Sequence, residues 1–155
     1  MTEPHHAIYE AHYSRNMLQL LAGKGWRRFV ALRIDPKGLT LGGVPARHRS
    51  HTGFVPWEDL TSVVLWRAYT MGAKFFTPDT RDYIGVRLRP GAPIPHGPNR
   101  ELSQKWSTRT APHMEYEIVR TSHPVIFWNL EKERICAAVE AFAPGIQVED
   151  LRDTR

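Results

Sequence analysis

Residues 26–43 read WRRFVALRIDPKGLTLGG and residues 54–66 read FVPWEDLTSVVLW, and these two segments decide the fold. In the first, Val30, Leu32 and Ile34 alternate with Ala31 and Arg33, the two-residue period of a strand with one buried face. Asp35, Pro36, Lys37 and Gly38 then form a turn, because proline presets φ at its second position and glycine accepts positive φ at its fourth. Leu39, Thr40 and Leu41 return as a second strand that Gly42 and Gly43 close. A polar loop over 44–53 follows. Pro56, Trp57, Glu58 and Asp59 then lead into a third strand over 57–66, where Val63, Val64 and Leu65 favour β structure.

Working outward, 69–76 reads as a fourth strand weakened by Gly72 and Ala73. Residues 82–89 read as a fifth, with Ile84, Val86 and Leu88 inward and Tyr83, Arg87 and Arg89 outward. The proline-rich run 90–98 can be neither strand nor helix. With the polar stretch 99–114 it makes a long insertion, 90–114, of the kind that usually serves binding. Residues 115–120 and 125–128 read as two further strands around a turn at 121–124. A helix over 129–142 is expected, with Asn129 as its cap and Leu130, Ile135, Ala138, Val139 and Phe142 as its buried stripe. Pro144 and Gly145 stop it, and 146–151 adds a short edge segment. Upstream, Tyr9, Tyr13, Met17, Leu20 and Leu21 have helical spacing, which predicts an N-terminal helix over 8–21 within an extension covering 1–25.

The 155 residues suffice for one domain, 1–155, since a chain of this size buries roughly 70% of its unfolded surface. The lone Cys136 excludes an internal disulfide. There is no basic segment followed by an apolar run at the start, and no stretch nears the ~20 apolar residues of a membrane span. A cytoplasmic location is expected. The net charge of +5 favours acidic partners mildly, and the basic residues gather early: Arg15, Lys24, Arg27, Arg28, Arg33, Lys37, Arg47 and Arg49 face only Asp35 within 15–54.

About seven strands joined mostly by hairpin-length links, then one helix, make a mainly β, α+β chain. On the return strand Gly38, Leu39, Thr40, Leu41, the segment Pro56, Trp57, Glu58, Asp59, Leu60 and the helix 129–142, it resembles the small bacterial pleckstrin-homology-like (PH-like) proteins of unassigned function. The resemblance covers 26–90 and 115–150. It implies two nearly orthogonal antiparallel sheets forming a partly open barrel, capped by the C-terminal helix, and a scaffold that binds rather than catalyses. Eukaryotic relatives hold phosphoinositides through basic residues spanning the first hairpin. Here the turn is short and Leu39, Thr40 and Leu41 carry no charge, so that function is not carried over.

No catalytic set stands out. The eight histidines lack zinc-site spacing, His48 and His51 included, so no metal site is assigned. Adjacent Ser122 and His123 do not make a nucleophile and base, there is no strained serine elbow, and Cys136 reads as a packed thiol on the helix. Glu58 and Asp59 point to opposite sides of a strand. Gly23, Gly25, Gly42 and Gly43 open no helix, so no phosphate cradle and no cofactor is expected. The candidate binding residues are Arg27 and Arg33 on one strand face, Arg87 and Arg89 on another, and Trp106 in the insertion, as a loop pin or an exposed anchor. Phe29 and Tyr83 are too few aromatics for nucleic acid. The leading expectation is a non-catalytic module for a protein or peptide partner. Anionic membrane binding through the arginines, and a small-molecule or enzymatic pocket at the barrel mouth under 90–114, are the alternatives.

Overall fold

A computed structural model describes residues 8–14, 29–71 and 78–154. Among the described residues eight strands lie in two four-stranded sheets, which do not close into a barrel. The first sheet has the order β1 (Tyr9–His12), β2 (Val30–Asp35), β3 (Gly38–Leu41), β4 (Gly53–Pro56), all antiparallel. The second has the order β7 (His123–Pro124), β6 (Pro78–Leu88), β5 (Leu60–Met71), β8 (Gln147–Leu151), with β8 parallel to β5 and the other pairs antiparallel. Among the described residues there are also four α-helices: α1 (His48–His51), α2 (Gln104–Thr110), α3 (Tyr116–Thr121) and α4 (Lys132–Phe142).

The expected β2–β3 hairpin forms. The Asp35 carboxylate accepts the Lys37 and Gly38 amides at 2.8 and 3.2 Å, which locks the turn. Trp57 Nε1–H donates to the Asp35 carbonyl at 2.9 Å and ties the turn to the next segment. A Cβ on Gly38 would collide with the backbone of Val55 and Pro56, so the close approach of β3 to β4 requires glycine there.

One apolar core lies between the sheets. Leu32, Ile34, Leu39, Leu41 and Val55 from the first sheet meet Leu60, Val63, Leu65, Ile84 and Val86 from the second, and Ile135, Ala138 and Val139 of α4 complete it. A second core covers the far face of the second sheet, where Val64, Trp66 and Ala68 pack against Ala111, Ile118 and Val119. The β5–β6 sheet is therefore buried on both faces near its centre, which is why Val63, Val64 and Leu65 are apolar without alternation.

Several expectations need correction. Tyr9–His12 is a strand rather than helix, while 15–21 lie outside the described residues. Tyr9 and Tyr13 fit a helical spacing, but Tyr9, Ala11 and Tyr13 fit a strand equally, and the cross-strand Glu10–Arg33 ion pair at 2.6 Å favours pairing with β2. The loop 44–53 contains a 3-10 turn at Pro45–Arg47 and the single turn α1. The expected third strand, 57–66, opens with a 3-10 turn at Trp57–Asp59 and continues as β5, which runs on to Met71, while the lead-in before it is a strand of its own, β4. Of the expected fourth strand, 72–76 lie outside the described residues. Residues 115–120 are largely helical: the β-branched Ile118 and Val119 suggested a strand, yet both fit one helix face laid on the second sheet. The expected strand 125–128 is absent, and β7 ends at Pro124. The insertion carries α2, capped by the Ser103 hydroxyl, which accepts the Trp106 amide at 3.3 Å. The last helix starts at Lys132 after Glu131 rather than at Asn129, and β8 follows it.

Candidate functional site

The expected arginine face is divided. Arg33 lies in the first sheet and Arg87 in the second, so their strands are not neighbours. Arg33 is held by Glu10 at 2.6 Å and Asp35 at 2.9 Å, and Arg87 by Glu115 and Glu149, each at 2.7 Å. Hydrogen bonds to Glu115 and then Glu149 raise the Arg87 guanidinium above its ordinary value. Burial alone would disfavour the Glu149 carboxylate, but the bonds from Arg87 and Ser62 outweigh it and hold that carboxyl below its usual range. These guanidiniums are locally neutralised. Arg89 is exposed just beyond β6, its amide donating to the Asp59 carbonyl at 2.8 Å, and Arg27 lies outside the described residues.

Trp106 is 54% exposed, with the Arg109 guanidinium 5.5 Å from its ring centre, so the ring faces solvent on α2 instead of pinning the insertion. Trp106→Ala is expected to change the unfolding free energy by less than about 1 kcal/mol in urea titration. A loss several-fold larger would show that the ring anchors the loop. Under the start of the insertion lies a hollow of about 310 Å³ lined by Leu88, Arg89, Ala92, Ile94 and Glu117. Among the described residues no three histidine, cysteine or carboxylate side chains are arranged to hold a metal ion, and no helix is long and apolar enough to cross a membrane.

The larger opening lies at the free side of β6. Strand geometry sends the N–H and C=O of alternate residues to the same edge. On β6 the outward series is Thr80, Asp82, Ile84 and Val86. The Val86 amide donates to the Thr121 hydroxyl at 3.0 Å, Ile84 pairs with His123 in β7, and the Asp82 carbonyl accepts the Val125 amide at 2.8 Å. On the opposite edge of the hairpin, the carbonyl of Arg67, the β5 partner of Asp82, accepts from His113 Nε2 at 2.8 Å, as this alternation requires. Thr80 comes next in the series, and no described residue reaches its outward backbone groups.

The covering chain leaves β6 at Phe127. Its φ of 61° is the one positive value at a non-glycine among the described residues, an uncommon conformation for a bulky side chain. Two donors hold the turn: the Ser14 amide at 2.6 Å and the Ser14 hydroxyl at 2.8 Å both donate to the Phe127 carbonyl. Past Val125 no backbone hydrogen bond joins 126–130 to 80–82, and the Phe127 ring is 48% exposed, whereas Trp128 is buried in the main core. Between the diverging segments lies a groove of about 550 Å³ lined by Arg67, Arg81, Asp82, Ile126, Phe127 and Trp128, among others. Asp82 is engaged by Arg67 at 2.7 Å and approached by Arg152 at 3.7 Å. Arg81 is exposed and pairs with no carboxylate among the described residues.

Sequence reasoning did not find this groove. The one usable signal was four consecutive apolar residues, Val125, Ile126, Phe127 and Trp128, too many for a strand with a single buried face. The chain matches no family model, no curated protein and no solved structure.

Proposed function

We propose that the chain is a non-catalytic, PH-like binding module whose protein or peptide partner sits in the groove between β6 and 126–130. The observation that carries this reading is Phe127, a half-exposed aromatic on left-handed backbone that the Ser14 hydrogen bonds hold in place. A bulky residue in that conformation costs of order 1–3 kcal/mol, and such strain gathers at binding and switch sites. Here it opens the groove and presents an aromatic anchor at its rim, the residue type that dominates recognition surfaces. The two sheets around one core with α4 packed on it agree with the PH-like expectation, while the parallel β8 and the α2–α3 layer extend beyond it. The membrane alternative draws less support, because Arg33 and Arg87 are each held between two carboxylates.

The test is site-specific photocrosslinking in the native host. A photoreactive residue at Ile126 is expected to give a discrete protein adduct, and one at the exposed Arg49 of α1 is not. Phe127→Gly removes the ring and suits the backbone, so it should keep unfolding free energy within about 1 kcal/mol of wild type while abolishing the adduct. Equal labelling from both positions, or an adduct that survives Phe127→Gly, would refute the groove as the binding site.

A further inference from the structure

Resting on the groove reading above, we infer that the partner segment is an extended acidic peptide that adds to the free edge of β6 at Thr80 and places a carboxylate opposite Arg81. The main chain supplies the first half of the argument. Along the outward edge of β6 the Val86 backbone meets Thr121, Ile84 pairs with β7, and the Asp82 carbonyl accepts the Val125 amide. The series continues to Thr80, where the Phe127 kink has removed the chain that would otherwise pair. An exposed edge with an unmatched N–H and C=O is a template for one more strand, and an extended segment completes the ladder without side-chain reorganisation.

Side chains supply the second half. Ile84 and Val86 point into the main core, so Asp82 and Thr80, two and four positions before Ile84, share that inner face, while Arg81 belongs with Tyr83 on the other. A peptide residue opposite Thr80 would lie beside the Arg67–Asp82 pair and Trp128, a partly apolar setting that is already charge-balanced. Its neighbour along the strand would lie opposite Arg81, whose guanidinium has no carboxylate of its own among the described residues. Cross-strand opposite charges attract and like charges repel. The groove therefore selects glutamate or aspartate at that position and disfavours lysine. A single free guanidinium beside an aspartate is a poor match for the repeated phosphates of a nucleic acid, which need a series of cations.

The experiment uses short capped peptides of alternating threonine and valine, one with a central glutamate and one with a central lysine, titrated against the full chain by fluorescence anisotropy. The glutamate peptide is expected to bind about tenfold more tightly. Arg81→Glu should invert that order, which a general loss of folding cannot do. Equal binding of the two peptides, a preference for lysine, or a preference that Arg81→Glu leaves unchanged would overturn the acidic selection while the groove reading stands. Binding of neither peptide alongside a persistent crosslink at Ile126 would overturn strand addition alone. Neither peptide binding and no crosslink would overturn both.

Discussion

Gly85→Ala is expected to lower the unfolding free energy by about 3 kcal/mol, seen as a lower urea midpoint with an unchanged slope. Gly85 lies mid-strand on β6, opposite Val64, where α3 crosses the sheet. A Cβ there would overlap the Ser122 hydroxyl and come within 3.1 Å of the Ile118 carbonyl and 3.2 Å of the Thr121 hydroxyl. Ser122 cannot simply rotate away. Its oxygen accepts from Trp66 Nε1–H at 2.8 Å and donates to the Ile118 carbonyl at 2.7 Å, and Ser122 is fully buried. Moving it strands the indole N–H of a Trp66 that is 2% exposed and stacked on Tyr83 at 4.5 Å. The expected loss is the overpacking cost added to the cost of one unsatisfied buried donor. A double-mutant cycle separates the two: Ser122→Ala removes the clash but leaves the indole unmatched, so Gly85→Ala should cost much less in the Ser122→Ala background. Gly85→Ala stability within about 0.5 kcal/mol of wild type would show that α3 is not held by this contact.

The same crossing explains which parts of the fold were legible in the sequence. The β2–β3 hairpin announces itself locally, because Asp35, Pro36 and Gly38 encode the turn and the alternation beside them encodes the buried face. The helix over 132–142 is legible for a similar reason, its stripe of Ile135, Ala138 and Val139 meeting the core as spaced. Residues 116–121 were not, since their short run of β-branched residues fits strand and helix alike and the choice is made by the space that Gly85 leaves on a distant strand. β1 fails in the same way, its tyrosine spacing being shared by both periods until β2 offers a ladder. The groove was the least legible part. It depends on a positive φ at Phe127, fixed by hydrogen bonds from Ser14 across 113 residues of chain, and no local propensity of phenylalanine predicts that conformation. Two of the singled-out arginines are engaged for an electrostatic reason: an alternating strand reveals that Arg33 and Arg87 point outward but not that Glu10, Glu115 and Glu149 come from elsewhere to meet them.

Stability is expected to fall steeply as pH drops from about 6.5 towards 4, by roughly 3 kcal/mol over that interval. The source is His123, which is 3% exposed. Its Nδ1 lies 3.2 Å from the Gly42 carbonyl, and Nε2 makes no hydrogen bond within normal geometry among the described residues. Burial drives its pKa down to about 4; the backbone carbonyls of Gly42 and then His96 oppose this, and the neighbouring His51 adds to it. An unfolded histidine titrates near 6.5. Above that value both states are neutral and the group has no effect on the balance. Between 6.5 and 4 the unfolded chain takes up a proton that the folded chain refuses, so each unit of pH shifts the equilibrium towards unfolding by about 1.4 kcal/mol. The carboxylates work in a different window. The hydrogen bonds from Arg152 hold Asp150 well below its usual range, and Glu149 is also lowered, so what they contribute is present above their unfolded values near 4 and fades only as pH falls further. The interval from 6.5 to about 4.5 is therefore the window in which His123 acts before these carboxylates do. Urea unfolding at half-unit steps should show the slope in wild type and lose most of it in His123→Asn, whose amide still offers a donor to Gly42. If that variant does not fold, the wild-type slope still decides the matter. A flat stability profile down to pH 4.5 would mean that the His123 ring is protonated in the fold, and its packing against the Gly42 carbonyl would have to admit water or a counterion.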